Sequence, residues 1–126
     1  MVKLVLLKKP KPGVSRDELI DYLTNVHGPH NSQLPDVDYT LSVQVDPEEN
    51  EAVPKDSDYY DSSNTVPISP GDTRYDTLEI HEFDTMEELI EAHSTGHSEE
   101  AEEGLHDVID FEDEIAFVVE DVEVNE

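Results

Sequence analysis

The sequence predicts an α+β sandwich of the ferredoxin-like type, in which a four-stranded antiparallel sheet carries helices on one face. Three observations lead to this prediction. Four short apolar or alternating segments are typical of strands, apolar stripes recur at helical spacing between them, and the order along the chain is β-α-β-β-α-β. The length of 126 residues suits one domain, so we expect a single domain over residues 1–126.

The first half of the chain predicts a strand, a helix and a second strand. Residues 2–7 form an apolar run that ends at a segment rich in Lys and Pro. Ser15 begins the helix with the spacing of a capping box, and Gly28-Pro29 ends it. The apolar stripe of this helix falls at helical spacing, on Leu19, Tyr22, Leu23 and Val26. Residues 39–45 alternate strictly between apolar and polar side chains, which predicts the second strand.

A long connection separates the second strand from the third. Residues 46–72 are rich in Pro, Asp, Ser and Asn and have no sustained hydrophobic period. Connections of this length inside a compact domain are uncommon, and they are often either functional or disordered. We therefore treat residues 46–72 as a β2–β3 connection that covers either a pocket or a partner subunit.

The second half predicts a strand, a helix in two parts and a last strand. Residues 75–83 alternate as the third strand, and Thr85 has the capping-box spacing that begins a helix. Gly96 breaks this helix, and Ser98 begins a further helical segment. Residues 114–122 form the last strand, which places three apolar side chains on one side of the sheet: Ile115, Phe117 and Val119.

One face of this sheet has no helices to cover it. We expect its inner strands to present a mixture of apolar and polar side chains there, namely Val5, Thr40, Ser42, Gln44, Glu79 and His81. Such a surface is too apolar to remain in contact with water and too polar for a dry core. Packing two such sheets against each other would cover both, so the sequence predicts a symmetric homodimer formed through the sheet faces.

The strong negative charge excludes several classes of function. Seven Lys and Arg oppose 33 Asp and Glu, which gives a formal net charge of −26. A protein with this charge repels nucleic acid and anionic membrane surfaces. The N-terminal apolar run is too short to span a bilayer or to serve as a signal peptide, and cysteine is absent. We expect a cytoplasmic protein that binds neither nucleic acid nor membrane.

The distribution of the acidic residues favours adaptation to high salt. Many of them alternate with apolar positions at helical spacing, as in residues 86–91 and 99–105, whereas a disordered acidic tail would have no such pattern. Molar salt shortens the Debye length to roughly 3 Å and relieves the repulsion between surface carboxylates. We therefore predict a halophilic protein; the alternative is an acidic protein that binds calcium or a basic partner.

Two stretches of the chain resemble the EthD family of dimeric α+β barrel proteins. The first contains residues 12–19, Tyr22 and Val26-His27-Gly28-Pro29-His30. The second contains Glu82-Phe83-Asp84, residues 86–89, a helix break near His97 and residues 107–111. The resemblance extends over most of the chain outside residues 46–72. Gly28 and His30 depart from the family, which more often has a small apolar residue and a Leu-type residue there.

The resemblance implies a homodimer in which each subunit keeps a pocket between its sheet and its helices. EthD proteins have no settled reaction and are often labelled reductases, and related dimeric barrels include cofactor-independent oxygenases, isomerases and cyclases that act on small organic molecules. We therefore expect an EthD-like protein that binds a small organic molecule. It would catalyse cofactor-independent proton transfer or oxidoreductase-type chemistry. A ligand-binding protein without turnover and a purely structural homodimer are the alternatives.

His27 and Asp107 are the first candidates for catalysis. Both match positions of the family motif, and an imidazole that titrates near neutrality can move a proton to or from carbon. Asp107 would orient the histidine or hold a water molecule. In the alternative interpretation, His27 only closes its helix and Asp107 is a solvated surface charge. His30 is a weaker candidate because it does not match the family motif, and His81 is weaker because we expect it to pair with Glu79 at the dimer interface.

Four further side chains are candidates for ligand contact, although aromatic residues at such positions are more often part of the core: Tyr39, Phe83, His93 and Phe111. The sequence contains no dinucleotide fingerprint, no phosphate-binding Gly loop and no nucleophile elbow, so we predict no cofactor. His27 and His30 flank a Pro turn, and the Asp-rich stretch 56–61 lacks the Gly and Glu of an EF-hand. We therefore predict no metal site.

Overall fold

The computed structural model describes residues 1–44, 75–94 and 103–125. Its strands are β1 (Val2–Lys8), β2 (Asp38–Val43), β3 (Thr77–Phe83) and β4 (Ile115–Glu120). Its helices are α1 (Arg16–Tyr22), α2 (Gly28–Asn31) and α3 (Met86–His93), with a π-helical turn at Leu23–His27 and 3₁₀ turns at Gly104–Asp107 and Phe111–Asp113. No helix within these three ranges is both long enough and apolar enough to cross a membrane.

The four strands form one antiparallel sheet with the order β2-β3-β1-β4. The two central strands, β1 and β3, are neighbours although a helix and another strand separate them in sequence. This is the arrangement of a ferredoxin-like β-α-β-β-α-β fold, and it confirms the fold class predicted from the sequence.

The two faces of the sheet differ in what covers them. On the helical face, β1 contributes Val2, Leu4, Leu6 and Lys8, which lie opposite Phe83, His81, Glu79 and Thr77 of β3. The other face, which we call the outer face, has polar side chains at Lys3 and Glu82 and along β2, at Asp38, Thr40 and Ser42. Its apolar members are Val5, Leu7, Leu78, Ile80, Ile115, Phe117 and Val119. Alternation along a strand requires this division, since successive side chains point to opposite sides.

The prediction that Glu79 and His81 lie on the outer face is wrong. Both side chains are buried on the helical face, with exposed fractions of 0% and 3%. Because β3 alternates, their neighbours Leu78 and Ile80 occupy the outer face instead. The two polar residues therefore belong to the interior of the subunit.

Two apolar clusters join the helices to the sheet. One contains Val2, Leu34, Phe83, Leu89 and Ala92 and attaches α3 to the central strands. The other contains Leu19, Leu23, Leu105 and Ile109 and attaches α1 to the segment that precedes β4. Both clusters consist of residues with less than a tenth of their surface exposed, so they provide most of the hydrophobic stabilisation of this layer.

The helix starts predicted at Ser15 and Thr85 are confirmed, but the first helix does not end where the sequence predicts. Ser15 Oγ accepts a hydrogen bond from the Glu18 amide at 3.1 Å, and Thr85 Oγ1 accepts one from the Glu88 amide at 3.2 Å. The chain continues through Gly28-Pro29 in helical conformation as far as Asn31. Proline is compatible with this geometry because it occupies the first turn of α2, where its missing N–H has no intrahelical acceptor.

The helical segment after α3 ends in a 3₁₀ turn. Residues 104–107 form a 3₁₀ turn, and the capping position at Ser98 and the break at Gly96 lie outside the described residues. The predicted connection 46–72 also lies outside them.

Arg16 joins the two chain segments on either side of residues 45–74. Its guanidinium donates to the Gln44 carbonyl oxygen at 2.6 Å and to Asp76 Oδ1 at 3.2 Å. The Gln44 amide also donates to the Asp76 carbonyl oxygen at 2.8 Å, and the Asp76 amide donates to the Lys8 carbonyl oxygen at 2.9 Å. Gln44 and Asp76 are therefore held side by side at the end of β2 and the start of β3.

Candidate functional site

A cavity of about 80 Å³ lies between the helical face of the sheet and the helices. Its walls come from β1, β3, the π turn, α2, α3 and the segment before β4. The lining is mixed, with apolar side chains beside histidines and charged groups: Leu4, Leu6, Lys8, His27, Asn31, His81, His93, Leu105, Phe111 and Glu114. Its volume is sufficient for several water molecules or a small organic group. This is where the EthD resemblance predicts a pocket.

Glu79 is the centre of a buried polar network beneath this cavity. One of its carboxylate oxygens, Oε1, accepts a hydrogen bond from Lys8 Nζ, and the other, Oε2, accepts one from the Tyr39 hydroxyl at 2.6 Å. His27 Nε2 lies 3.7 Å from the same Oε2. Lys8 Nζ also contacts Glu114 Oε2 at 3.2 Å, so two carboxylates neutralise one ammonium. Lys8 and Glu79 are almost fully buried, so each charge needs the other to neutralise it in the interior.

The ionisation of this network follows from its contacts. Burial alone would raise the pKa of Glu79, but the Lys8 ammonium, His27 and the Tyr39 hydroxyl together hold that pKa below its usual range, so Glu79 is a carboxylate. Burial and the Glu79 charge raise the pKa of Tyr39 far above its usual value. Tyr39 is therefore a permanent hydrogen-bond donor to Glu79 and does not act as a base at neutral pH.

The π-helical turn at Leu23–His27 places His27 in the interior. A π turn inserts one extra residue into a helix, and such turns occur often at functional sites. His27 and Asn31 then lie one helical turn apart, and His27 Nε2 is 2.9 Å from Asn31 Nδ2. The Tyr22 ring stacks on the His27 ring with 6.3 Å between centroids. Both His27 and Asn31 are 4% exposed and line the cavity.

His81 presents a nitrogen atom that has no hydrogen-bond partner among the described residues. Its Nδ1 lies 3.2 Å from His93 Nε2, whereas its Nε2 is buried and unpaired. The ring lies edge-on against Tyr39 at 5.1 Å and stacked on His93 at 5.2 Å. Burial, together with the nearby His93, Lys8 and His27, lowers the pKa of His81 to about 4, although Glu79 acts in the opposite direction. His81 is therefore neutral at pH 7.

The candidate residues from the sequence fall into two groups in the structure. His27, His81, His93 and Phe111 line the cavity, while Tyr39 and Phe83 lie next to it through their ring contacts with His81 and His93. Asp107 and His30 do not line it. His30 is half-buried in α2, and Asp107 is exposed in the 3₁₀ turn.

Among the described residues, Asp107 is linked to the site electrostatically, through Tyr22. Its charge raises the pKa of the Tyr22 hydroxyl, in addition to the effect of burial, and the Tyr22 ring in turn stacks on His27. The carboxylates that contact the cavity residues directly are Glu79 and Glu114. Within the described part of the chain, no three His, Asp or Glu side chains are placed to hold a metal ion together.

Sequence reasoning missed Lys8, Asn31 and Glu114 as components of the site. Lys8 continues the alternation of Val2, Leu4 and Leu6, and a charged residue in the inward register of a central strand indicates a buried partner. That signal was available from the sequence. Asn31 was not, because its inward direction depends on the π turn and on the continuation of the helix through Pro29.

Comparison with known proteins supports the fold. No protein-family model and no curated protein sequence matches the chain. A crystal structure of an ethyl tert-butyl ether D (EthD) family protein from Bacillus halodurans has a TM-score of 0.66 to this chain, with 16% identity over 97% of this chain and 99% of that one. The fold is EthD-like. The resemblance predicted from the sequence is therefore confirmed at the level of the fold.

Two further solved structures share this EthD-like fold. A protein from Arabidopsis thaliana has a TM-score of 0.64 and 16% identity, and covers 99% of both chains. A dimeric protein of unknown function and ferredoxin-like fold from Bacteroides fragilis has a TM-score of 0.58 and 12% identity, and covers 94% of both chains. Identities this low establish the architecture and leave the activity to be argued from the site itself.

Proposed function

We propose that this EthD-like protein binds a small organic molecule in the cavity and catalyses cofactor-independent proton transfer on it. The observation that carries the proposal is the buried, unpaired Nε2 of His81 in a residue that lines the cavity. Buried polar atoms are normally hydrogen-bonded, and an exception in a cavity is a candidate for ligand contact or catalysis. The apolar part of the wall, with Leu4, Leu6 and Phe111, suits the hydrocarbon body of such a ligand.

In this proposal His81 accepts the proton, and Glu79 offsets part of the cost of an imidazolium that burial, His93, Lys8 and His27 disfavour. The negative charge of Glu79 favours an imidazolium at His81, since it raises the pKa of that ring. His27, at 3.7 Å from the Glu79 carboxylate, is a second group that can hold a proton beside the ligand. His93, Phe111, Tyr39 and Phe83 shape the pocket around the ligand, and Asp107 acts at a distance through Tyr22.

The reaction class extends from proton transfer to the chemistry of related dimeric barrels. An isomerase or a cyclase needs a base and a shielded apolar pocket, and both are among the features that support the proposal. A cofactor-independent oxygenase would begin with the same deprotonation of the substrate, whereas an EthD-type reductase would in addition need an external electron donor. The alternative, a ligand-binding homodimer without turnover, uses the same cavity and requires only a hydrogen bond to His81.

Solvent exchange of carbon-bound protons tests the proposal without knowledge of the natural substrate. A panel of small hydroxyketones, which carry an O–H group as well as carbon-bound α-protons, is incubated with the protein in D₂O, and loss of the α-proton signals is followed by NMR. We expect exchange of at least one compound above background, and a decrease of about 10²-fold or more in His81→Phe. Glu87→Gln, a change at an exposed side chain of α3, is the control and should exchange at the rate of the unchanged protein.

Exchange that survives His81→Phe unchanged would remove His81 from the proposed mechanism. Binding of a compound with no exchange in any member of the panel would favour the ligand-binding alternative. Protein that neither binds nor exchanges any compound would favour a structural homodimer.

We also propose that two copies pack through their outer sheet faces. Apolar side chains at the centre of this face include Val5 and Ile80, and Phe117 is 44% exposed in the single chain. An apolar patch of this kind usually marks a site of association. The Bacteroides fragilis protein, which shares the fold, is described as dimeric. Packing face to face would bury the patch in both copies at once.

The solvent and compartment of the protein are part of the same proposal. We propose a single-domain cytoplasmic protein adapted to high salt, in which molar cations screen the formal charge of −26. Seven cationic residues cannot neutralise 33 carboxylates within one chain. Repulsion between the surface carboxylates is therefore reduced more by salt in the solvent than by ion pairs within the chain.

A further inference from the structure

The hydrogen bonds around His93 determine which nitrogen of His81 carries a proton. His93 Nδ1 lies 2.9 Å from the Leu89 carbonyl oxygen, and a carbonyl oxygen only accepts, so this nitrogen carries the proton of the neutral ring. His93 Nε2 is then the acceptor for His81 Nδ1, at 3.2 Å. His81 Nδ1 is protonated in consequence, and the lone pair of His81 Nε2 remains bare.

We propose that His93 fixes His81 as a hydrogen-bond acceptor in the cavity, so that the site selects uncharged ligands that present a hydrogen-bond donor. This inference rests on the proposed function in taking the cavity as the binding site. His93 is a positioning residue here, because its effect on the ligand passes through His81. The ligand class is that of small apolar molecules with one O–H or N–H group, such as an enol, a phenol or an alcohol.

The packing around His93 prevents it from turning away from this role. Its ring stacks on His81 with an angle of 29° between planes, and the Phe83 ring lies edge-on to it at 5.7 Å. Its Nδ1–H is held by the carbonyl of the preceding helical turn of α3. A ring held from three sides keeps one orientation. The hydrogen bonds therefore run in one direction, with His81 donating to His93 and His93 donating to the Leu89 carbonyl oxygen.

The charges of the wall argue against an anionic ligand. Lys8 is the permanent cation among the described residues that line the cavity, and Glu79 and Glu114 both bind it. A ligand carboxylate would find no unneutralised lysine or arginine there, and its oxygens would face the bare lone pair of His81. Burying a charge without a partner is costly, so the wall favours a neutral molecule.

NMR of the ligand-free protein with ¹⁵N-labelled histidine tests the role of His93 directly. We expect His81 Nε2 to show the shift of an unprotonated imidazole nitrogen at neutral pH. In His93→Phe, which keeps a ring but removes the acceptor, we expect Nε2 of His81 to gain the proton. In His93→Gln the amide oxygen can replace the ring nitrogen as acceptor, and Nε2 should stay bare. Circular dichroism establishes that both variants are folded.

Three probes of similar size then test the selectivity: phenol, anisole and benzoate. Phenol should bind about tenfold or more tightly than anisole, which lacks the donor, and more tightly than benzoate, which is charged. His93→Phe should lose the preference for phenol over anisole, and His93→Gln should retain it.

The inference is overturned if His81 Nε2 is protonated in the unchanged protein, or if it stays bare in His93→Phe. Equal affinity for phenol and anisole in the unchanged protein would also overturn it. Failure of all three probes to bind contradicts both the proposed ligand site and the selectivity, whereas the NMR measurement separately decides whether His93 controls His81.

Discussion

Glu79 illustrates how a single buried charge organises the interior of this protein. It has no exposed surface, and its two oxygens contact a lysine from β1, a tyrosine from β2 and a histidine from the first helical segment. Removing one member of such a set leaves an uncompensated charge in the interior, which costs more than the pair itself contributes. The residues around it are therefore coupled, and changes at any of them affect stability as well as the site.

Lys8→Met tests this coupling. The substitution removes the cation and leaves Glu79 buried with one fewer partner, so we expect a loss of about 3–5 kcal/mol in the free energy of unfolding. Lys9→Met, one residue further along the chain, is the matched control, because 39% of the Lys9 side chain is exposed and its ion pair with Asp113 is long, at 3.9 Å, so its loss should change stability little. Chemical denaturation in high salt measures both. Equal effects of the two substitutions would contradict the coupling.

His81 predicts how stability depends on pH. Its pKa in the folded state is about 4, against 6.5 for an ordinary histidine, so the unfolded chain binds more protons between these values. Stability is therefore fully present above about pH 6.5 and decreases as the pH falls toward 4, by an amount on the order of 3 kcal/mol. His81→Phe should flatten this part of the profile. Thermal melts between pH 4 and 7 measure it, and an unchanged slope in the variant would refute the assignment.

At the scale of elements, the π turn is what the sequence could not have predicted. The apolar spacing of Leu19 and Leu23 and the capping residue Ser15 predict a helix correctly, and both leucines are buried. Gly28-Pro29 resembles a helix end by its residue types, yet the chain passes through it into α2. The extra residue of the π turn lets the helix accommodate Pro29. The π turn depends on the tertiary packing of His27 and Asn31, which residue spacing does not encode.

Gly28→Ala tests the close packing at this turn. A Cβ at Gly28 would lie 2.5 Å from the Leu23 backbone oxygen and 3.4 Å from the Tyr39 ring, so the turn would have to shift. We expect a loss of about 1–3 kcal/mol and a displacement of the His27 resonances. Gly104→Ala is the control, since its Cβ would meet the end of the Tyr22 side chain, which can move. A larger loss in Gly104→Ala than in Gly28→Ala would contradict this account.

Strand direction shows a second limit of prediction from sequence. The alternation of β3 was predicted, but it does not reveal which set of side chains faces the helices. Glu79 and His81 are polar, so the expectation placed them as a pair at the dimer interface. Lys8 and Tyr39 reverse that assignment, because they provide the partners that make burial of these polar residues tolerable. The fold was predictable from patterns; the site depends on pairs that form only after folding.

At the scale of the whole molecule, the outer sheet face is the surface where association is expected. Ile80→Lys should therefore convert a dimer into a monomer, because it buries two charges at the centre of a symmetric interface. Ile90→Lys is the matched control, since Ile90 is 59% exposed on α3 and lies away from the sheet. Light scattering in molar KCl distinguishes the two. A dimer that survives Ile80→Lys would place the contact elsewhere.

The charge of the molecule gives a prediction about salt. With 33 carboxylates and seven cationic residues, repulsion within one chain is strongest in dilute buffer. We expect the melting temperature to rise continuously from about 0.05 M to 2 M KCl, since the screening length shortens over this range. Thermal melts at neutral pH measure it, and a melting temperature independent of salt would exclude adaptation to high salt.

The hydrogen bonds from Arg16 to Gln44 and Asp76 have a consequence for the connection between β2 and β3. Because Gln44 and Asp76 are bonded to each other and to Arg16, the register between β2 and β3 does not depend on the length of the chain between them. Each doubling of the length of such a connection costs only about 0.6 kcal/mol in closure entropy. A change in the length of this connection should therefore leave the pairing of β2 with β3 intact. The contacts of Arg16 thus make the ends of β2 and β3 a suitable place to test a shortened or lengthened connection.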